Sequence, residues 1–196
     1  MVEKTKKVNS IFDNPQGVDE EYCQIVEEAA IKGENLEIPN STLDHAVFLS
    51  QALISVASDN IKILTGELNS PYYERVENQL EAVAERFNKE GGNKEIRIVI
   101  WEKESDGHGK IRNLRNKYSD VIKVKSAEQS EENVAAHFLV SDSVRYRLEE
   151  PHTKRELEKK EVRGRANFHD VNTASILNDR FDEIWDVLEE VKEEVK

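Results

Sequence analysis

The stretch from Val134 to Asp170 constrains the fold more than any other part of this sequence. Two short runs in it, Ala135–Val140 and Val144–Leu148, alternate apolar with polar residues on either side of the turn-forming pair Asp142-Ser143. Period-two alternation around such a turn predicts a β-hairpin. A third run, Glu161–Phe168, follows a charged spacer and predicts a further strand, so strands cluster in the second half of the chain.

The first half of the chain alternates helix-like with strand-like segments. Apolar residues at helical spacing predict helices, and short, nearly unbroken apolar runs predict strands that are covered on both faces. The predicted helices extend from a cap at Asp19 to about Lys32, from Leu43 to about Ser58, from Pro71 to about Lys89 and from Gly107 to about Tyr118, and the predicted strands are Ile61–Leu64, Ile96–Trp101 and Val121–Val124. This order predicts an α/β fold with a mixed sheet flanked by helices, in which parallel strands precede the antiparallel hairpin.

A long amphipathic helix is predicted near the end of the chain. Asp170 or Asn172 can cap it, because both side chains accept backbone N–H groups at a helix start, and it extends from Thr173 to about Val195. Its inner face is expected to carry Ile176, Leu177, Phe181, Ile184, Trp185 and Leu188. We divide the chain into an N-terminal arm and helix, residues 1–40, and an α/β domain, residues 41–196.

Composition and charge limit the partners of this chain. Hydrophobic residues make up 37% and charged residues 35% of its 196 residues, and the formal net charge is −12, which gives no overall attraction to nucleic acid or anionic lipid. Two stretches nevertheless have a local net charge of +3: residues 102–125, with seven basic and four acidic side chains, and residues 143–165, with eight basic and five acidic. The sequence is therefore compatible with a local basic face. No apolar run approaches the roughly 20 residues of a membrane span. The single cysteine, Cys23, excludes an internal disulfide, and a cytoplasmic protein without membrane contact is expected.

The order of these elements, together with one short motif, resembles a single phospholipase D-like domain over about Leu43 to Val195. In catalytic members of that family, the first hairpin strand carries His-x-Lys, an Asp follows at the turn, and the next strand carries Gly-Ser-x-Asn. Here Gly164-Arg165-Ala166-Asn167-Phe168 is similar to the last element, with Arg165 in the place of Ser. Asp142 lies at the hairpin turn, as the family Asp does. The alternative fold is a flavodoxin-like α/β domain without this ancestry.

The catalytic motif is degenerate in this sequence. Counted back from Asp142, the family His falls on Ala135 and the family Lys on His137. With His137 as the nucleophile instead, Leu139 stands where Lys is required and Val144 where Asp is required. In the family reaction, a neutral His attacks phosphorus, a Lys holds the phosphoryl oxygens and a second motif supplies another His. The resemblance therefore implies a domain that lacks the residues for phosphodiester transfer.

The resemblance also implies a ligand site where the family binds phosphate. Its candidate residues are His137, Asp142, Arg165 and Asn167, with Arg165 as the replacement cation. A histidine has an ordinary pKa of about 6.5 and is mostly neutral at pH 7, so His137 is a weak substitute for a lysine. A metal site built from His137, His169 and Asp142 is less expected than simple hydrogen-bonded pairs. No metal and no cofactor are therefore predicted.

These features predict a non-catalytic binding or regulatory module. Its expected partner is another protein or a second copy of the chain, as in a homodimer, and a small anionic ligand is the second option. The charged segment Glu149–Lys160 is predicted to protrude and to contact the partner. The residues before Leu43 are too few for the winged-helix domain of DNA-reading relatives, so we do not expect nucleic-acid binding by this chain alone. The alternative is a homodimeric nuclease or phosphodiesterase that uses His137.

Overall fold

The computed structural model describes residues 17–66, 71–101, 109–126, 137–150, 156, 159 and 161–188. The helices are α1 (Glu20–Lys32), α2 (Leu43–Ser55), α3 (Pro71–Glu90), α4 (Gly109–Lys117) and α5 (Val171–Val187), and the strands are β1 (Ile38–Asn40), β2 (Asn60–Thr65), β3 (Glu95–Ile100), β4 (Ile122–Ser126), β5 (Phe138–Ser141), β6 (Arg145–Glu149) and β7 (Gly164–Asn167). The helices and strands predicted in this part of the chain are present, with ends that differ by a few residues.

The strands form a seven-stranded mixed sheet in the order β1-β7-β6-β5-β2-β3-β4. β2, β3 and β4 are parallel, and every other neighbouring pair is antiparallel. Parallel neighbours need a crossover connection, and the two crossovers contain α3 and α4. The hairpin β5–β6 continues the sheet from β2, with Leu139 opposite Ile63. The predicted mixed sheet with an antiparallel hairpin is therefore confirmed.

Helices cover both faces of the sheet, so this single domain has three layers. α1 to α4 lie on one face, and α2 is buried along ten of its 13 residues, as its nearly continuous apolar sequence predicts. α5 lies on the other face and buries Phe181 and Trp185 against Leu64, Val99 and Tyr146. With helices on both faces, charged side chains on the central strands need partners inside the protein.

The inner face of α5 differs from the prediction at Ile176. This side chain is 69% exposed, whereas Ala174 is fully buried. Ala174, Phe181 and Trp185 follow one another at intervals of seven and four residues and therefore lie on one side of the helix. Ile176 lies two residues after Ala174, about 200° around the helix axis at 3.6 residues per turn. The helix is capped by Asp170, whose side chain accepts the Thr173 N–H at 3.1 Å.

Residues 17–40 pack against the rest of the fold. α1 contributes Cys23, Val26, Ala29 and Ala30 to the larger core. β1 pairs antiparallel with β7 at the edge of the sheet. The domain boundary at residue 40 stays a prediction.

Several predicted features lie outside the described residues. These are the arm Met1–Gln16, Ala135, the end of the last helix beyond Leu188, and eight of the twelve residues of the charged segment Glu149–Lys160. None of the described helices has the length and apolar character needed to cross a bilayer.

The turn of the hairpin is fixed by the Asp142 side chain. Asp142 and Ser143 both have a φ of 54°, which is typical of a type I′ turn. The Asp142 carboxylate accepts backbone N–H groups from Ser58 and Asp59 at 2.8 Å and from Asn60 at 3.1 Å. Arg145 also donates to it, at 2.6 Å. Asp142 therefore ties the hairpin to the loop between α2 and β2.

Replacement of this carboxylate should destabilise the fold. Asp142→Asn keeps a residue that tolerates positive φ but loses the charge that accepts these N–H groups, so we expect a loss of about 1 to 3 kcal/mol in the free energy of unfolding. Asp59→Asn is the control, because the Asp59 side chain in the same loop is 68% exposed. Urea denaturation of both variants measures the difference, and equal stability would contradict the role assigned to Asp142.

Candidate functional site

A polar cluster lies at the carboxyl end of β2, where β5 begins and β6 ends. His137 precedes β5, and its backbone carbonyl accepts the Glu149 N–H at 2.8 Å, which places both side chains on the α2 face of the sheet. Gly66 follows β2 directly. A Cβ atom on Gly66 would lie 3.4 Å from Cε1 and Nε2 of His137, so the absence of a side chain there leaves space for the imidazole. The His137 side chain is 30% exposed.

An ion pair lies beside His137 on the same face of β6. Arg147 Nη2 donates to Glu149 Oε2 at 2.6 Å, and the two side chains are only 3% and 8% exposed. The other carboxylate oxygen, Oε1, lies 3.8 Å from His137 Nδ1. The ring of Tyr72 contacts the Arg147 guanidinium, with 5.6 Å between Cζ and the ring centroid. The cluster therefore contains a buried cation, a buried anion and a partly exposed imidazole.

The buried cluster holds its groups in defined protonation states. Burial opposes the charge on Arg147, but the Glu149 carboxylate and the neighbouring tyrosines outweigh it and raise the pKa of the guanidinium. Burial raises the pKa of Tyr72 and raises that of Tyr73 still further, so both phenols remain protonated. The Tyr72 hydroxyl donates to Ser50 Oγ at 2.6 Å. Arg147 is thus a permanent cation whose charge Glu149 neutralises.

α1 and α2 add a second aromatic group to this cluster. The Tyr22 ring stacks on His45 with 4.2 Å between the centroids, and its hydroxyl donates to the Pro39 carbonyl at 2.9 Å. Burial raises the pKa of Tyr22, and the charge of Arg147 acts against this shift. Tyrosines from α1 and α3 therefore both lie within electrostatic reach of Arg147.

Two buried polar atoms in this region have no hydrogen-bond partner within the described part of the chain. They are Arg147 Nε, a donor, and Asn40 Oδ1, an acceptor. Asn40 lies opposite Gly164, and a Cβ on Gly164 would come within 3.0 Å of this oxygen. Buried groups of this kind are uncommon in folded proteins and often mark a place for a ligand or an ordered water.

The four candidate site residues from the sequence do not come together. His137 lies at one end of β5, and Asp142 follows the other end, about 16 Å away for five extended residues of about 3.3 Å each. Asn167 lies opposite Tyr146, near the start of β6 and far from His137. Arg165 is on the α5 face, where its Nε lies 3.3 Å from Glu37 Oε2. Of the four, only His137 belongs to the cluster around Arg147.

The residues considered for a metal site are also separated. His169 follows β7, where its backbone N–H donates to Asn167 Oδ1 at 2.8 Å, at the end of the sheet opposite His137. Over the described residues, no group of three His, Cys, Asp or Glu side chains lies close enough to hold a metal ion.

Sequence reasoning did not identify Arg147 and Glu149. Their alternation with Tyr146 and Leu148 is typical of a strand with one solvated face. The available signal was the predicted fold itself: a hairpin that continues a sheet covered by helices on both sides has no solvated face. Charged residues on β6 then have to form buried pairs.

The cluster offers a proton carrier without an available cation. His137 and Glu149 have the arrangement of a base and the carboxylate that orients it, although the separation of 3.8 Å is long for a hydrogen bond. Phosphoryl transfer also requires a positive group on the phosphate oxygens. Among the described residues, Arg147 is the cation in contact with this pair, and Glu149 already neutralises its charge.

Many solved structures share this fold, and three of them are compared with it. TrmBL2, an archaeal chromatin protein with a novel mode of DNA binding, aligns with a TM-score of 0.58 and 10% identity over 86% of this chain, and the chain spans only 60% of TrmBL2. Nuc, a phospholipase D family member from Salmonella typhimurium, aligns with a TM-score of 0.58 and 13% identity over 81% of this chain and 100% of Nuc. NucT from Helicobacter pylori aligns with a TM-score of 0.59 and 12% identity over 80% of this chain and 99% of NucT. At these identities the likeness shows a phospholipase D-like fold and nothing finer.

One family model matches the sequence. It is described as a domain of unknown function (DUF7931) and covers residues 42–193, from the cap of α2 to a point beyond α5. α1 and β1 precede the matched region. No curated protein sequence matches the chain.

Breaking the buried ion pair should destabilise the protein strongly. Glu149→Leu leaves the Arg147 guanidinium buried without its counter-charge, and we expect a loss of about 3–5 kcal/mol in the free energy of unfolding. The double variant Arg147→Met, Glu149→Leu should recover most of that loss, because two apolar side chains can fill the same volume. The exposed neighbour Glu150 supplies the control, Glu150→Leu. A double variant as unstable as Glu149→Leu would show that packing dominates.

The partial burial of His45 should make stability depend on pH. Burial lowers the pKa of His45, against the raising effect of Asp19 and Asp44, so the unfolded chain binds this proton more readily than the fold does. The resulting stability is fully present above about pH 6.5, the ordinary histidine value, and is lost as the pH falls through the lowered pKa of the folded state. Thermal unfolding between pH 7 and pH 5 should therefore show a smaller decline in Tm for His45→Gln than for the wild type. His169→Gln, at an exposed histidine, should follow the wild type.

Proposed function

The chain belongs to the family described as a domain of unknown function (DUF7931), and we propose that it is a non-catalytic phospholipase D-like binding module that senses a small anionic ligand. The ligand site lies around His137, at the end of the sheet where β2 ends and β5 begins. His137 is the member of the cluster that solvent reaches, and Arg147 lies behind it with its counter-ion.

The Arg147–Glu149 pair carries the proposal that the module does not turn over phosphodiesters. A transition state at phosphorus gains its stabilisation from positive groups fixed on the phosphoryl oxygens, and removal of one such donor commonly costs about a hundredfold or more in rate. Here the permanent cation of the cluster is buried and neutralised, and the position that resembles the family Lys holds His137. These groups can recognise an anion without providing that stabilisation.

The fold neighbours are compatible with a binding role. Nuc is a phospholipase D family member, whereas TrmBL2 is described as a chromatin protein that binds DNA. The same fold therefore occurs in a protein that is described by what it binds. Docking of a partner protein through Glu149–Lys160 stays a prediction, since most of that segment lies outside the described residues.

A specific observation favours one second candidate, a homodimeric nuclease or phosphodiesterase. His137 Nδ1 faces Glu149 Oε1 at 3.8 Å, and a carboxylate that orients an imidazole is a common part of nucleophilic and general-base sites. Substrate binding can shorten such a contact. A partner subunit would then have to supply the missing cation.

Assays of turnover and binding distinguish the two candidates. The purified protein is incubated with single-stranded DNA, duplex DNA and bis(p-nitrophenyl) phosphate, with and without a divalent metal, and phosphate binding is measured by calorimetry. We expect no hydrolysis, and binding of inorganic phosphate that His137→Ala weakens. Arg165→Ala is the matched control, because Arg165 lies on the opposite face and should leave phosphate binding unchanged.

Hydrolysis that His137→Ala abolishes would overturn the non-catalytic proposal in favour of the enzyme. Absence of hydrolysis together with absence of binding to both phosphate and acetate would remove the small-anion sensor.

A further inference from the structure

The Arg147 guanidinium uses only part of its hydrogen-bonding capacity. Nη2 donates to Glu149, while the buried Nε has no partner in the described part of the chain. A guanidinium binds a carboxylate or phosphate most strongly through two parallel N–H groups. A single contact from Glu149 through Nη2 leaves Nε without a bond, which is costly in a buried site.

Glu149 divides its two carboxylate oxygens between two neighbours. Oε2 accepts from Arg147 at 2.6 Å, and Oε1 lies 3.8 Å from His137 Nδ1. Glu149 lies two residues after Arg147 on the same face of β6 and opposite His137, the residue before β5. A carboxylate in this place can move its contacts from the guanidinium toward the imidazole without leaving the cluster.

We propose that Glu149 is a built-in competitor for an anion site on Arg147. An incoming oxyanion displaces Oε2 of Glu149 and accepts from both Nη2 and Nε of Arg147, and Glu149 turns toward His137. The ligand group is a carboxylate or a phosphate, because only an oxyanion offers two oxygens at the spacing of this fork. This inference rests on the proposed function and names the group that anchors the ligand.

The surroundings of Arg147 hold its guanidinium in place. The Tyr72 ring contacts the guanidinium, and Tyr72 is itself held by Ser50. Glu149 lies beside His137, whose side chain is 30% exposed, whereas the Arg147 side chain is 3% exposed. In this proposal the ligand therefore enters past His137 and meets Glu149 before Arg147.

Calorimetric titrations with inorganic phosphate and with acetate test this exchange. Glu149→Gln keeps the shape of the side chain but removes its charge, so it should bind the preferred anion at least tenfold more tightly than the wild type. Arg147→Met should lose binding, and Glu150→Gln, at the exposed neighbour, should match the wild type. The two probes identify which of the two oxyanions the site accepts.

A folded Glu149→Gln variant that binds neither anion more tightly than the wild type overturns the proposal. If that variant is unstable, its Tm is measured with increasing anion, because a ligand that binds only the folded state raises Tm. A larger rise than in the wild type supports the exchange, and an equal or smaller rise overturns it. A crystal structure of the wild type grown in the binding anion gives an independent test: the anion on Arg147 Nε supports the proposal, and an intact Arg147–Glu149 pair with the anion on His137 overturns it.

These outcomes separate this inference from the proposed function. Binding by Glu149→Gln through Arg147, with none by the wild type, would support the competitor and remove the wild-type sensor. Binding by the wild type that does not depend on Arg147 or Glu149 would keep the sensor and remove the competitor.

Discussion

The burial of charged side chains on β6 is the constraint on which the candidate site depends. β6 lies within the sheet, with helices on both of its faces, so Arg147 and Glu149 can be accommodated only as a pair. Taking either charge out of water alone would cost several kcal/mol. The Tyr72 ring of α3 contacts this buried guanidinium, and Tyr22 of α1 lies within its electrostatic reach.

The two ends of the hairpin have different tasks. At one end the Asp142 carboxylate replaces water for three backbone N–H groups of the α2–β2 loop, and this end has the character of a structural anchor. At the other end the His137 side chain is 30% exposed and lies beside the buried Glu149. Carboxyl ends of strands are common places for ligands in α/β proteins. We therefore place the candidate site at the His137 end of the hairpin.

Much of the fold could be predicted from the sequence because the spacing of apolar residues, and the residues that begin or end helices and turns, agree with the tertiary structure. Gly33 ends α1, Pro71 begins α3, and the pair Asp142-Ser143 adopts the positive φ values of a hairpin turn. The site was harder to predict for two physical reasons. Gly-x-x-Asn is a short motif, and the strand register places Arg165 and Asn167 on the α5 face, which no pattern within β7 reveals.

The alternation of charged residues with Tyr146 and Leu148 on β6 was a further obstacle to predicting the site. A charged residue at every second position has the same sequence signature whether it faces water or a buried partner, and only the layer of helices decides between them. The same ambiguity affected Ile176 on α5, where an apolar residue at nearly helical spacing faces outward. In both cases the sequence pattern describes an element by itself, whereas the neighbouring layer determines which side is buried.

The order of the strands has a consequence for how the chain folds as it is synthesised. β1 and β2 are made first, yet β7, β6 and β5 lie between them in the finished sheet. Until residues 138–167 emerge from the ribosome, β1 and one edge of β2 have no strand partners, and unpaired strand edges are prone to association with other chains. The N-terminal half is thus expected to depend on chaperones or on rapid completion of synthesis. The contacts of Asp142 with a loop 82 to 84 residues earlier would be among the last to form.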